Sequence, residues 1–220
     1  MALNVMNLQD LRTQLAAKLQ DQKNTLPPPT SSKIKPVVKE GFALPNGQVL
    51  EELEAIVVDV RYVNALYLKP YKPGAIETPS CWALNADANI LAPNEASEKP
   101  VHATCEGCPN NEWGSGANGS GKRCKNMIRL ALLPPDATEK TSVFILDLPP
   151  TSTGPFLKVL RGLSVPMQTV VMRFSLDPKQ TYAKVLTELL SPAPDAVAPF
   201  ILGAIERAKP TIERGFDYNN

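Results

Sequence analysis

Four cysteines, Cys81, Cys105, Cys108 and Cys124, are the side chains of this sequence best suited to chemistry. Three of them bracket one run, CEGCPNNEWGSGANGSGKRC, at residues 105–124. A C-x-x-C pair sets two thiolates on one tight turn, where a tetrahedral ion with Zn–S bonds of about 2.3 Å can clip them together. Cys124 returns at the far end of the run, and Cys81 heads a short apolar stretch. Four thiols with none to spare make Zn2+ the expected ligand of the set. An iron–sulfur cluster also takes four thiolates, and buried cysteines with no ligand are the third reading. His102, the single histidine, could replace one thiol but reads better as an exposed side chain. Four protein ligands close a tetrahedral shell, whereas catalytic zinc keeps one position for water. The expected zinc is therefore structural.

Inside the same run, GANGSGK (116–122) matches the G-x-x-x-x-G-K of a phosphate-binding loop. Such a loop follows a buried strand, opens a helix and carries Ser or Thr after its Lys to hold Mg2+. Here NNEWGS precedes the glycines, and Arg123 and Cys124 follow Lys122. Nucleotide hydrolysis is not expected. Nuclease chemistry is not expected either, because carboxylates are scattered and there is no histidine-rich metal site. The chain reads as a non-enzyme.

Lys122, Arg123, Lys125 and Arg129 form a basic run where the loop ends. Trp113 lies within the loop, Trp82 follows Cys81, and Tyr62, Tyr67 and Tyr71 lie on or just after a long apolar segment. Cations for phosphates and flat rings for bases are the composition of a single-strand-binding surface. For each residue alone the plainer reading is a solvated lysine or a core aromatic. Their concentration around one ordered loop is what argues for binding.

The elements that must position these groups read as mainly β. The chain has 220 residues, 22 of them proline, and a net charge of +1, so any nucleic-acid site must be a local basic patch. No apolar run approaches the ~20 residues of a membrane span. The N-terminus lacks a basic segment followed by an apolar one, so an intracellular, cytoplasmic protein is expected.

Residues 1–25 predict an amphipathic helix with a narrow stripe of Leu8, Leu11, Leu15 and Leu19, suited to a docked surface helix or to self-association. Residues 26–36, with LPPPTSSKIKP, read as a proline-rich linker. A β domain is expected over 37–192. Its strands are 53–68, bent or bulged near Asn64, then 80–84, 127–133, 142–148 and 168–177, with 181–190 ambiguous between strand and helix. A helix is expected at 154–162, and residues 193–220 predict a C-terminal helix and tail, with Pro199 in the first turn. Residues 80–126 form a loop with almost no apolar period, which something other than a core must hold. Strand, insertion, two strands, helix and one or two strands is the order of an OB-like five-stranded barrel with a four-cysteine zinc-loop insertion. A generic small barrel or a mixed sheet fits the same order.

One set of residues carries a more specific resemblance. Pro79-x-Cys81, Cys105-x-x-Cys108-Pro109-x-Asn111-x-Trp113-Gly114-Ser115, Gly119-x-Gly121-Lys122-x-Cys124-Lys125-Asn126, Arg129-Leu130 and Pro150-Thr151-Ser152 together resemble a family of bacteriophage proteins that occur near replication and recombination genes and are associated with single-stranded DNA binding. The resemblance spans roughly residues 40–177. A four-cysteine ribbon after the first OB strand also looks like one DNA-binding domain of the large replication protein A subunit. The resemblance implies an OB-like fold, structural zinc, single-stranded DNA as ligand, replication or recombination proteins as partners, and the infected host cytoplasm as location. The acidic tail common among single-strand-binding proteins has no counterpart in ERGFDYNN.

The expected function is thus non-enzymatic single-stranded DNA binding. Phosphates would lie against Lys122, Arg123, Lys125 and Arg129, and bases against Trp113, Tyr62 or Tyr67. The alternative is a zinc-stapled phage adaptor or regulator that binds a host protein.

Overall fold

The computed structural model describes residues 32–69 and 77–216. The chain divides into Met1–Thr30 and Ser31–Asn220, and the described residues belong to the second unit. The helix expected over 1–25, the first part of the linker, Tyr71 and the last four residues lie outside them. In order, the elements are β1 (Lys33–Val37), β2 (Gly41–Ala43), β3 (Val49–Leu50), β4 (Glu52–Leu66), β5 (Cys81–Asn85), β6 (Lys125–Leu133), β7 (Phe144–Leu148), α1 (Pro150–Gly162), β8 (Val170–Leu176), β9 (Val185–Pro192) and α2 (Ala198–Ile212). The architecture is mainly β, with two flanking helices. Among the described residues, no helix is long and apolar enough to cross a membrane.

The strands form one sheet in the order β3-β2-β1-β7-β6-β4-β8-β9, with β5 attached to β4. Strands from both ends of this order, through Ile34 of β1 and Val185 of β9, share one core with Phe156 of α1. The sheet therefore curls around that core as an open half-barrel. On the opposite face, Ile201, Ala204, Ala208 and Ile212 of α2 cover Ile56, Val58, Leu133, Ile145 and Val171. With helices on both faces, a central strand has no polar side to show, which is why Ala55, Ile56, Val57 and Val58 are all buried in succession.

β4 is bulged, but not near Asn64. The register against β6 shifts between Val57 and Asp59, six residues or so before the expected place. One extra residue there turns the strand over. Leu53, Ala55 and Val57 face the α1 core, and after the bulge Val60 and Tyr62 pack against that same core.

The second departure is β1. Lys33–Val37, placed in the linker by composition, instead pairs in parallel with β7 and antiparallel with β2. Pro36 fits there because a strand tolerates proline where its missing N–H is not needed. The ambiguous 181–190 segment is a strand, shifted to Val185–Pro192 and paired along its length with β8. Ser152 of α1 fixes where it begins, accepting the Val185 N–H at 2.7 Å.

Candidate metal centre and nucleic-acid surface

The C-terminal end of β4 positions the cysteines. β5 lies on one of its edges, with Cys81 opposite Leu66. β6 lies on the other, with Lys125 opposite Ala65. Two strand spacings, about 10 Å, thus separate the chain at Cys81 from the chain at Cys124, and both side chains pack on Leu66. The irregular segment between them folds back over this end. The Cys105 N–H donates to Leu91 O at 2.9 Å, and the Cys124 N–H to Asn110 O at 2.8 Å. The second bond sets the turn after Cys108 directly against Cys124.

All four cysteines are free thiols; Cys105 is half-buried and the other three are buried. Together they line one cavity of ≈20 Å3. That is the room one water-sized atom needs, about 10–15 Å3 or more. Burial pushes the Cys124 thiol up to about 12, and Cys105, Cys81 and Cys108 add to the shift while Lys122 opposes it. Burial likewise raises Cys105, against a hydrogen bond from the Asn64 amide. Among the described residues, no three His, Cys, Asp or Glu side chains stand ready-made as a metal shell. The thiols share a cavity without converging on one point. His102 touches the same cavity but is exposed, its ring Nδ1 lying 2.9 Å from Thr104 O.

Beside the cysteines is a chain of amides. Asn126 donates through Nδ2 to Asn64 Oδ1 at 2.6 Å and to Asn111 Oδ1 at 2.9 Å. Asn111 donates to Cys105 O at 2.8 Å, and Lys122 Nζ donates to Asn111 Oδ1 at 3.4 Å. The network ties β4, β6, the C-x-x-C turn and the glycine segment into one unit. Asparagine is a poor strand former, so Asn64 and Asn126 within strand-forming runs were the sequence signal for this network, and the sequence reading gave them no role in it.

The glycine run is not a phosphate cradle. The Gly114 and Gly116 N–H groups both donate to Gly121 O, at 2.7 and 3.2 Å, so they point inward. Gly116 must be glycine because a Cβ would sit 2.0 Å from Ser120 O. The segment then opens into strand β6, not a helix.

The expected binding residues divide. Arg123 and Lys125 are exposed, and no ion pair among the described residues neutralises them. Lys122 is half-buried on the amide network. Trp113 is 81% exposed, the most exposed large apolar side chain among the described residues. Tyr62 lines a groove next to Asn64, Asn111 and Asn126. Tyr67 instead packs against Val63, Ala65, Trp82 and Phe216, away from the others. Trp82 is buried, meeting Phe216 edge-on at 5.7 Å between centroids.

Arg129 leaves the set altogether. It is only 4% exposed. Its Nε donates to Asp147 Oδ1 at 2.7 Å, its Nη1 to the Ile212 and Arg214 carbonyls, and its guanidinium lies over the Phe216 ring. The Ile212 carbonyl is at the unpaired end of α2, where a cation is favourable, and Arg214 lies two residues past it. Burial opposes ionisation of Asp147, yet Arg129 and Lys33 together hold its carboxyl below the usual carboxylate range. A strand alternation that starts from the exposed Lys125 would put Arg129 on the same side, but that side is covered by α2 and the residues after it.

No protein-family model, curated protein or solved structure matches this chain.

Proposed function

We propose that this protein binds single-stranded DNA without transforming it, on a surface ordered by a structural zinc ion held by Cys81, Cys105, Cys108 and Cys124. The observation that carries the reading is Trp113, 81% exposed on the same loop as the exposed Arg123 and Lys125, which form no ion pair among the described residues, with the two sides of that loop tied by the Gly114–Gly121 and Ser115–Arg123 hydrogen bonds. An exposed indole and free cations on one ordered loop are what stacking on a base and neutralising phosphates require. The connectivity supports an OB-like reading of the half-barrel. β4, β6 and β7 run antiparallel in turn, α1 follows, β8 returns to pair with the first half of β4, and β9 pairs with β8. It departs from a closed five-stranded barrel where β1 takes the free edge of β7. The resemblance to phage replication and recombination proteins adds such proteins as partners.

The cavity supports the zinc. The four thiols line one small cavity, and rotation about the single torsion before each sulfur is the motion that would bring them onto one ion. Bound zinc would supply charge neutralisation and loop rigidity, and all four positions being protein thiolates leaves none for water.

Fluorescence titration with a labelled oligonucleotide of about 30 nucleotides at two salt concentrations tests the reading. Affinity should fall with salt, with a log–log slope near 0.7 per neutralised phosphate. Lys122, Arg123 and Lys125 changed together to Gln should flatten the slope. Trp113→Ala should cost about 1–3 kcal/mol of binding with the slope unchanged. Absence of binding at low salt and micromolar protein would overturn it and favour the adaptor reading, for which the exposed Leu189 and Leu190 on edge strand β9 speak.

A further inference from the structure

Beside the cysteine cavity, two hollows of ≈290 and ≈280 Å3 share Asn64, Ala88, Leu91 and Asn111 in their walls. They form one groove between the end of β4, the start of β6, the first turns of α1 and the segment after β5. Its walls combine Tyr62, Leu91, Met127 and Leu157 with the amides of Asn64, Asn111 and Asn126. A groove that sets apolar walls beside a few convergent polar groups has the form of a small-molecule site, and its flat aromatic and amide lining suits a planar heterocycle.

The hydrogen bonds within the lining decide what kind. Both N–H bonds of Asn126 go to Asn64 and Asn111, and Asn111 gives an N–H to Cys105 O. Asn126 thus spends both its N–H groups on protein and has only its oxygen left to offer. Asn126 Oδ1 accepts no hydrogen bond among the described residues, and an amide oxygen has two lone pairs. At Asn126, therefore, the lining presents an acceptor and no donor.

We propose that this groove takes one unstacked nucleobase of the bound strand and prefers a base with an exocyclic amino group. The inference rests on the single-stranded DNA reading and adds base selectivity to it. Cytosine brings an amino donor to the Asn126 oxygen. Uracil and thymine bring a carbonyl oxygen to the same place, which the Asn126 oxygen repels. Tyr62 forms a wall of the groove against which the ring lies. Trp113 and the exposed cations remain indifferent to sequence, so the groove supplies the discrimination they lack.

The test compares oligo-dC with oligo-dU of about twelve nucleotides, within the span of one binding module, on the full chain at neutral pH. These strands differ in their hydrogen-bonding edge and not in backbone charge. Oligo-dC should bind tighter by roughly two- to tenfold, the range of one neutral hydrogen bond, with equal salt slopes. Ala88→Trp plugs the groove from its exposed rim. It should erase the difference while metal content, circular dichroism and salt slope stay as in the wild type. Tyr62→Phe should retain the discrimination, because the ring and not the hydroxyl forms the wall. Equal binding of the two oligomers by wild-type protein, or discrimination that survives Ala88→Trp, would overturn the groove assignment and leave single-strand binding intact. Binding of neither oligomer at low salt would overturn both.

Discussion

Two buried polar clusters sit at the two ends of a short stretch of chain, one around Cys124 and one around Arg129, and they solve the problem of burial in opposite ways. Arg129 is complete. Its charge meets Asp147 at 2.7 Å, Asp147 also meets Lys33 at 2.8 Å, and the remaining guanidinium protons reach carbonyls at and just past the end of α2. The cysteine cluster is not complete in this sense. It brings four ionisable thiols around a space for a single atom, and Lys122 is the sole cation acting on Cys124. A buried polar group with all its partners in the chain is architecture, since nothing further can improve it. The cysteine cluster lacks such a set of partners among the described residues, and it is where the proposed zinc would sit. The cluster that looked like binding surface in the sequence is the closed one, and the one held apart from catalysis is the open one.

Metal removal should give the largest effect on this contrast. A structural zinc is worth roughly 10–16 kcal/mol of apparent binding energy. Purified protein should hold about one zinc per chain. Stripping it, or changing Cys108 to Ser, should expose the amides of residues 100–126 to hydrogen exchange while β4, β6 and β8 stay protected. Full protection of the loop in zinc-free protein would show that the amide network alone holds it, and the contrast would collapse.

Next in size is Arg129→Met. Removing one partner of a buried pair leaves the other charge stranded and costs about 3–5 kcal/mol. Urea denaturation should show a loss of that order, with zinc content and the salt slope of DNA binding unchanged. A stable Arg129→Met protein that binds DNA less steeply with salt would return Arg129 to the binding surface.

The smallest effect comes from pH. The carboxyl of Asp147 is depressed in the folded state, so its contribution is fully present above the unfolded carboxylate value of about 3.9. It is lost as pH falls through the lower folded value. The stability difference between wild type and Asp147→Asn should be constant from neutral pH down to about 5 and should shrink in stronger acid. A difference that grows as pH falls would mean that Arg129 and Lys33 do not govern this group.

How legible the molecule was varied with the kind of signal. β6, β7, β8 and both helices lay within a few residues of where apolar pattern, caps and prolines put them. β1 was hidden because KIKPV has little apolar content of its own; only Ile34 is fully buried, and the edge of β7 supplies the pairing. The bulge of β4 was misplaced because AIVV is apolar throughout, and a run without alternation does not say which residue is the extra one. Of the candidate site, the gathering of the four cysteines around one cavity was legible by type and spacing. Arg129 was misread because a cation in a strand next to other cations looks the same whether its face meets water or a helix end. The asparagine network escaped because Asn64 and Asn126 stand out only as poor strand formers, and nothing local tells that the partners of Asn126 lie 15 and 62 residues away.

By itself the sequence determined a mainly β protein interrupted by a cysteine-bracketed segment that no apolar core could fold, because periodicity and residue type are local properties of the chain. The tertiary structure alone decided that the four thiols share one small cavity, that Arg129 is sealed beneath the end of α2 while Trp113, Arg123 and Lys125 stay outside, and that Asn64, Asn111 and Asn126 meet in one hydrogen-bonded network. Each of those depends on which strand edge meets which loop, and burial and hydrogen-bond pairing are set by that meeting of distant segments.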